Sequence, residues 1–555
     1  MARAISGGQA IIESVILHGV DTVFGLPGAQ TYPIFDALHG LGNQVRTISC
    51  RHEQGAAYMA FGYAKSTGRP GVYCVVPGPG VLNTAAALCT AWGCNTPVLC
   101  LTGQVPTAFL GEGRGHLHEL PDQLTTMRSL TKWAARIERP KDAPALVNEA
   151  FRQMLSGCPG PASLEMCWDT MAESAEIEIF DPIMRDAPPA LDLDSIDSAA
   201  KLIANAQFPM VMVGGGAQHA SAEVLALAEL IDAPVSAFRS GRGVVSERHP
   251  LGLSSLAALE LWPTTDVIIG IGTRLELPYM RWTGMMRYIQ RPETPPSLIR
   301  IDVDAQEMER LVPHVGIVGD AAEAATALID AVARKRQIRA GNRDRIAEAK
   351  AIARSKAEEI QPQVAYLDAI RDVLPDDGFF VEELCQAGFA SYYAFPIFTP
   401  RTYVTAGFQG TLGFGFPSAL GVKIGNPDKA VVSITGDGGF MFAVQELASA
   451  VQHGIGVVTI VFNNNAYGNV RRDQIERLDG RVIGSKLDNP DFVKLAESFG
   501  AAGVRVASPD ALRPVLARAL ADDVPIVIEV PVEPDSEVSP WRYIHPSSLQ
   551  VTPPS

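Results

Sequence analysis

A short apolar run, Ala430-Val431-Val432-Ser433-Ile434-Thr435, leads straight into Gly436-Asp437-Gly438-Gly439-Phe440. A second run, Ile455 to Phe462, stops at Asn463-Asn464-Asn465-Ala466-Tyr467-Gly468. Apolar, β-branched runs bounded by glycine are buried strands, and Met441 to His453 between them has helical spacing, so this stretch predicts a β-α-β unit. Parallel strands in such a unit end on the same edge of the sheet, which places the acidic turn and the amide turn side by side. Gly436, Gly438 and Gly439 let the backbone approach a ligand closely, and the N–H groups of the following helix start suit a diphosphate. Asp437 offers a hard anionic oxygen and Asn464, 27 residues further on, a neutral one. With the carbonyl of Ala466, two diphosphate oxygens and a water, they complete six oxygens around a magnesium ion.

The chain has 555 residues, which is too long for a single core and predicts three domains of ordinary size. A net charge of −15 argues against a nucleic-acid partner, which would require a basic face. Eight cysteines are scattered without a C-x-x-C pair, so they read as reduced thiols of a cytoplasmic protein. No apolar span of membrane length is present, and the first residues, leading into a helix, lack the apolar core and cleavage site of a signal peptide.

The alternation of helix, strand and Gly/Pro turn repeats through the first 168 residues, as expected for a doubly wound parallel sheet. Ligands on such sheets lie off the carboxyl ends of strands. That rule singles out the turn holding Pro27 and Gln30, then Glu53 in Arg51-His52-Glu53-Gln54-Gly55, then Pro79 and Asn83 in Val76-Pro77-Gly78-Pro79-Gly80-Val81-Leu82-Asn83. A polar glycine-rich stretch, Leu110 to Glu119, carries His116 and His118. Loops of this kind often serve a site. From Met171 to Ser195 the chain reads as a linker, and 195–335 as a middle Rossmann-like domain whose Gly214-Gly215-Gly216 follows a strand without completing G-x-G-x-x-G. Arg242 reads as a surface arginine, with a substrate carboxylate as its alternative partner. Residues 336–364 read as a solvated helical linker, because glutamates offset its cations. The last domain, 365–540, adds Gln386, the glycine-rich Gly407 to Gly415 with Leu412, and an aromatic tail at Ser539 to Pro546.

Taken jointly, G-D-G with N-N, the R-H-E segment and the Gly-Pro-Gly turn resemble the thiamine-diphosphate-dependent enzymes, in the branch of acetolactate synthase and benzaldehyde lyase. The resemblance spans the whole chain. It implies an α/β fold of three doubly wound parallel-sheet domains, which bind the pyrimidine, form the middle, and bind the diphosphate and metal. It also implies thiamine diphosphate and Mg2+ as cofactors. Glu53 is then the acid that bonds N1′ of the aminopyrimidine, and the 4′-imino nitrogen removes the proton from C2. Gly410 offers its carbonyl to the 4′-amino group, Leu412 is the wedge under the bent cofactor, Gln386 reaches the diphosphate, and Tyr467 forms a wall. His118 and, secondarily, His116 relay protons or hold the substrate carbonyl. FAD is doubtful, because the R-F-D-D segment of the flavin-binding members stands here as Arg274-Leu275-Glu276-Leu277. The implied reaction forms or cleaves 2-hydroxyketones from 2-oxo acids or aldehydes through a C2 carbanion and an enamine, in a homodimer at least and a homotetramer by analogy. Simple decarboxylation of a 2-oxo acid is the alternative, and a catalytically inert cofactor-binding relative a further one. Nicotinamide-dependent hydride transfer lacks its fingerprint.

Overall fold

The computed structural model describes residues 2–183, 185–282, 296–335 and 342–545. Among these, the strands form three six-stranded parallel sheets and one short antiparallel ladder. The first sheet runs Arg46–Ser49, Thr22–Gly25, Gly71–Val75, Val98–Gln104, Ala162–Cys167, Trp133–Ile137 from edge to edge. The last runs Tyr403–Val404, Phe379–Val381, Val431–Gly436, Val458–Asn463, Ile526–Pro531, Ala502–Arg505. Numbering each set along the chain gives the same order in both, 2-1-3-4-6-5, whereas the middle sheet has 3-2-1-4-5-6, the order of dinucleotide-binding sheets. The expected three-domain α/β architecture is therefore present, with the two outer domains sharing one topology. Their central strands, such as Gly71–Val75 and Val458–Asn463, are buried and mostly apolar because helices cover both faces.

The outer domains meet through helix α1 (Glu53–Thr67) and helix α2 (Gly415–Gly425). Their backbones come so close that a Cβ at Gly62 would lie 2.0 Å from the Ser418 carbonyl oxygen, and one at Gly421 only 1.9 Å from that of Met59. One hydrophobic core consequently runs from Phe24 and Tyr73 of the first domain to Phe416 and Phe440 of the last. This contact brings the start of α1 toward the last domain's helix α3 (Asp437–Met441) and helix α4 (Leu447–His453).

Several local expectations are corrected. The span Met441 to His453 is not one helix. It breaks after Met441, passes through a tight turn at Val444–Glu446 and resumes as α4, because Glu446 is fully buried while Met441 and Phe442 are exposed. The expected linker contains the strand Ser174–Ile177, which pairs antiparallel with Arg3–Ser6, so the chain also enters its first helix from a strand. Residues 336–341 of the charged linker lie outside the described residues. The helix Arg343–Ala357 that follows is not solvated all round, since Ile346, Ala349, Ala353 and Ala357 are buried along one stripe and face Ser255–Leu261.

Arg242 is neither at the surface nor in a substrate pocket. Its guanidinium is buried, donates to the carbonyls of Ser391 (2.7 Å) and Phe395, and pairs with Glu247 at 2.7 Å. It ties the middle domain to the last. Breaking a buried pair leaves its partners unsatisfied, so Arg242→Met is expected to cost roughly 3 kcal/mol. A thermal melt checks this, and an unchanged Tm would refute it.

Candidate active site

The strands Val431–Gly436 and Val458–Asn463 are paired in parallel with Gly436 opposite Phe462, so Asp437 and the asparagines leave the sheet on one edge. Val431–Gly436 also adjoins Phe379–Val381 at the point where strand order reverses, the usual crevice for a ligand in such sheets. Asp437 is only 2 % exposed, and its Oδ2 accepts from the Ala466 N–H (3.2 Å) and the Asn489 amide (2.7 Å). Burial pushes its carboxyl above the usual range, opposed by bonds from Gly438, Asn489 and Ala466. No Lys, Arg or His pairs with it among the described residues. Asn464 accepts from the Ala466 N–H through Oδ1 (3.1 Å) and donates to Glu537 (2.8 Å). The Tyr467 ring lies against the turn, so that a Cβ at Gly438 would meet it at 2.5 Å.

The structure thus brings together Asp437, Asn464, Ala466, Tyr467 and the glycines Gly436, Gly438 and Gly439. Gln386 joins them through Arg472, which donates to its Oε1 (2.9 Å) and to the Glu537 carbonyl (2.7 Å). A cavity of about 200 Å³ opens here, lined by Asn464, Ala466, Gly468, Arg472 and Glu537. Sequence reasoning missed Asn489 and Glu537. The Asn489-Pro490 pair was a turn signal before a helix, while nothing local marked Glu537.

In the first domain, Glu53 is the first residue of α1 and its Oε2 accepts from the Asn83 amide at 3.0 Å. Gln30 is fully buried and holds the glycine loop in place. Its amide donates to the Leu117 carbonyl (2.8 Å) and its Oε1 meets His118 Nδ1 at 2.7 Å. Residue 118 has φ +65°, a left-handed conformation, and its carbonyl would lie 2.5 Å from a Cβ at Gly78, so the loop packs on the Gly-Pro-Gly turn. His116 stands at the margin of this group, its Nδ1 3.3 Å from the Leu117 carbonyl. It packs on the Phe109 ring at 4.8 Å, and Glu119 holds its backbone. Pro27 and Pro79 are exposed on their turns. Among the described residues of one chain, no hydrogen bond or ion pair joins Glu53 to Asp437 or Asn464.

Gly410 is left-handed at φ +57°, and Leu412 beside it is half-buried. The stretch is clamped by Glu383, which accepts from the N–H groups of Gly413 (2.6 Å) and Gly415 (2.9 Å). Adjacent Glu382 accepts from Thr405 and leaves Oε2 without a partner. Burial pushes both acids up to about 7. An acid raised on folding contributes stability fully present below the unfolded carboxylate pKa, near 4.3, and lost as pH rises through about 7. Tm is therefore expected to fall between these limits, and Glu382→Gln to remove part of the fall, each tenfold in the proton equilibrium amounting to about 1.4 kcal/mol. A Tm profile of the variant parallel to that of the natural chain would contradict this.

A second cavity, of about 490 Å³, lies where the first and middle domains meet the last, which adds Arg401, Tyr403 and Phe408 to its wall. Its wall includes Gly214, Gly215, Gly216, Lys65, Arg274 and Asp302, at the carboxyl edge of the middle sheet. Asp302 is pushed up to about 6 by burial.

Comparison with known proteins identifies all three domains. Residues 5–126 match the N-terminal TPP binding domain of thiamine pyrophosphate enzymes, residues 196–328 their central domain, and residues 385–530 their C-terminal TPP binding domain. The chain is 33% identical to a probable acetolactate synthase large subunit of Methanocaldococcus jannaschii, over 96% of this chain and 92% of the relative. It is 30% identical to the acetolactate synthase large subunit of Haemophilus influenzae, over 97% and 96%. A probable 2-ketoarginine decarboxylase of Pseudomonas aeruginosa is 32% identical, over 90% and 89%. Three matched domains in order along one chain, with both outer sheets presenting candidate site residues at their carboxyl edges, place the protein in the family of thiamine pyrophosphate enzymes, in its acetolactate synthase-like branch.

Proposed function

We propose that the chain is a carboligase or lyase that forms or cleaves 2-hydroxyketones from 2-oxo acids or aldehydes. The observation that carries this reading is its similarity to acetolactate synthase large subunits over nearly its whole length. Thiamine diphosphate, when bound, supplies a nucleophilic carbon and an electron sink for breaking or making the bond next to a carbonyl. Asp437, Asn464 and the Ala466 carbonyl would hold Mg2+. The fit rests on a buried carboxylate with no counter-cation among the described residues and on an all-oxygen donor set, which suits a hard divalent ion. Gly436, Gly438 and Gly439 open the backbone toward the diphosphate, with Gln386 at its side. Glu53 gives and takes a proton at the aminopyrimidine, and Asn83 keeps its carboxyl oriented. Gly410, Leu412 and Tyr467 would line the bound cofactor, Leu412 beneath it and Tyr467 beside it. His118, held by Gln30, contacts the substrate carbonyl. His116 has the weaker claim, since it packs on Phe109.

Pro27, Pro79 and Leu82 on the first domain and Met441 and Phe442 on the last are exposed on the segments that form the site, Leu82 by 45 % and Phe442 by 49 %. Apolar side chains beside a site call for a cover. A second copy supplies it, making a homodimer at least and a homotetramer as the fuller assembly. The compartment we propose is the cytoplasm, supported by eight free cysteines. No helix among the described residues is long and apolar enough to cross a membrane.

The second reading is simple decarboxylation of a 2-oxo acid, favoured by the similarity to the 2-ketoarginine decarboxylase. Loss of CO2 is common to both readings when the donor is a 2-oxo acid. They differ in whether a proton or a second carbonyl carbon then takes the new bond. Incubating enzyme, thiamine diphosphate and Mg2+ with pyruvate, 2-ketoarginine and other 2-oxo acids, with and without aldehydes, separates them. Ketol formation with CO2 release supports the carboligase. Aldehyde in equal amount to CO2, with no ketol, selects the decarboxylase. No turnover of any donor would point to an inert relative.

A further inference from the structure

Three of the four residues that precede Glu53, namely Ser49, Arg51 and His52, are held by the opposite domain of the same chain. Glu446 is fully buried, and Oε1 accepts from the backbone N–H groups of His52 (2.9 Å) and Arg51 (3.1 Å). Its Oε2 accepts from Arg51 N–H (3.2 Å) and the Ser449 hydroxyl (2.6 Å). The next turn of α4 continues the grip. Gln452 accepts from the Arg51 guanidinium (2.8 Å) and donates to Ser49 Oγ (2.9 Å), while His453 Nε2 accepts from Ser49 N–H (3.1 Å). These contacts meet the chain where it passes from the strand Arg46–Ser49 into α1, and they come from a segment that begins only five residues after the end of α3, the helix that opens with Asp437.

A buried carboxylate persists only where donors replace water, and here three of its four bonds come from the Arg51 and His52 peptides on which Glu53 is mounted. Its negative charge also faces the amino-terminal end of α1, which favours it. The fit is tight on the other side too, since a Cβ at Gly55 would lie 2.3 Å from Glu446 Oε1. Burial raises the Glu446 carboxyl above the ordinary range, with the bonds from Ser449, Arg51 and His52 opposing it.

We propose that Glu446 is a positioning residue for the reaction: by fixing the Arg51-His52 peptides it aims the Glu53 carboxyl, and it couples that aim to the turn that carries Asp437. The proposal rests on the reading of Glu53 as the acid that faces the aminopyrimidine. Glu446 touches neither substrate nor cofactor in this role, so its effect passes through Glu53 alone.

The test compares hydrogen–deuterium exchange at C2 of bound thiamine diphosphate in Glu446→Gln, Glu53→Gln and the double variant, alongside cofactor affinity and circular dichroism. Misplacing a reacting group by about 1 Å can cost about a hundredfold in rate. Glu446→Gln is therefore expected to slow exchange and kcat together by about tenfold or more, with cofactor affinity nearly unchanged, and to add nothing in the Glu53→Gln background. Gly55→Ala, which pushes the Glu446 carboxylate aside without deleting it, is expected to act in the same direction and serves if Glu446→Gln does not fold. Exchange slowed by Glu53→Gln but undiminished in a folded Glu446→Gln or Gly55→Ala protein overturns the proposal alone, as does a fully additive double variant. Exchange undiminished in Glu53→Gln overturns the reading of Glu53, and the proposal with it.

Discussion

Glu53→Gln is expected to lower kcat by two to four orders of magnitude, roughly the range for loss of a positioned proton-transfer group. The glutamine keeps the size of the side chain and can still meet the Asn83 amide that now donates to Oε2 at 3.0 Å. What it loses is the carboxyl group that can give up a proton and take it back. Because Glu53 is the first residue of α1 and is not part of the core, the fold should persist, with a Tm change within about 1 kcal/mol of stability. Steady-state kinetics with the best donor from the substrate panel, together with a thermal melt, decide the matter. A variant retaining more than a tenth of the natural kcat would show that another group moves the proton.

The second large effect is expected at Asp437→Asn, where binding and stability should move in opposite directions. Removing the only carboxylate among the proposed metal ligands should weaken thiamine diphosphate binding in the presence of Mg2+ by about a hundredfold or more, since a neutral amide is a poor substitute for a hard anionic oxygen. The cofactor-free protein should gain stability, because burial already disfavours the ionised Asp437 and no cation offsets it among the described residues. Titration calorimetry with cofactor and Mg2+ measures the first change, and a melt of the cofactor-free protein the second. Undiminished affinity would remove Asp437 from the metal site. A loss of stability without the cofactor would mean that the bonds from Ala466 and Asn489 outweigh the buried charge.

The difference between these two sites shows why parts of the molecule could be read in one dimension and others could not. Gly436-Asp437-Gly438-Gly439 and Asn463-Asn464 sit at the ends of two neighbouring strands, so strand period and turn chemistry alone place them on one edge, and the pairing of Gly436 with Phe462 follows. Glu53 was equally visible as a carboxylate at a strand-to-helix turn. Glu446 was not, because its partners lie some 395 residues away in the chain and its helical spacing looked continuous with Met441 to His453. Arg242 misled for a related reason. Arginine is ordinarily exposed, and only the approach of Ser391 and Phe395 from another domain turns it into a buried strut.

What the sequence determined by itself was local. Alternating apolar runs and glycine turns specify strand, helix and edge, because backbone hydrogen bonding and side-chain period act over a few residues. That sufficed for the domain class, for placing the Asp437 and Asn464 turns on one sheet edge, and for placing Glu53 at a strand-to-helix turn. The tertiary structure alone decided which turns meet: Gln30 with His118, Asn489 with Asp437, Glu383 with the Gly413 and Gly415 amides, and Glu446 with the entry to α1. Each of these is a polar group taken out of water, and the donors or acceptors that compensate it come from wherever packing brings them, a choice that no local pattern records.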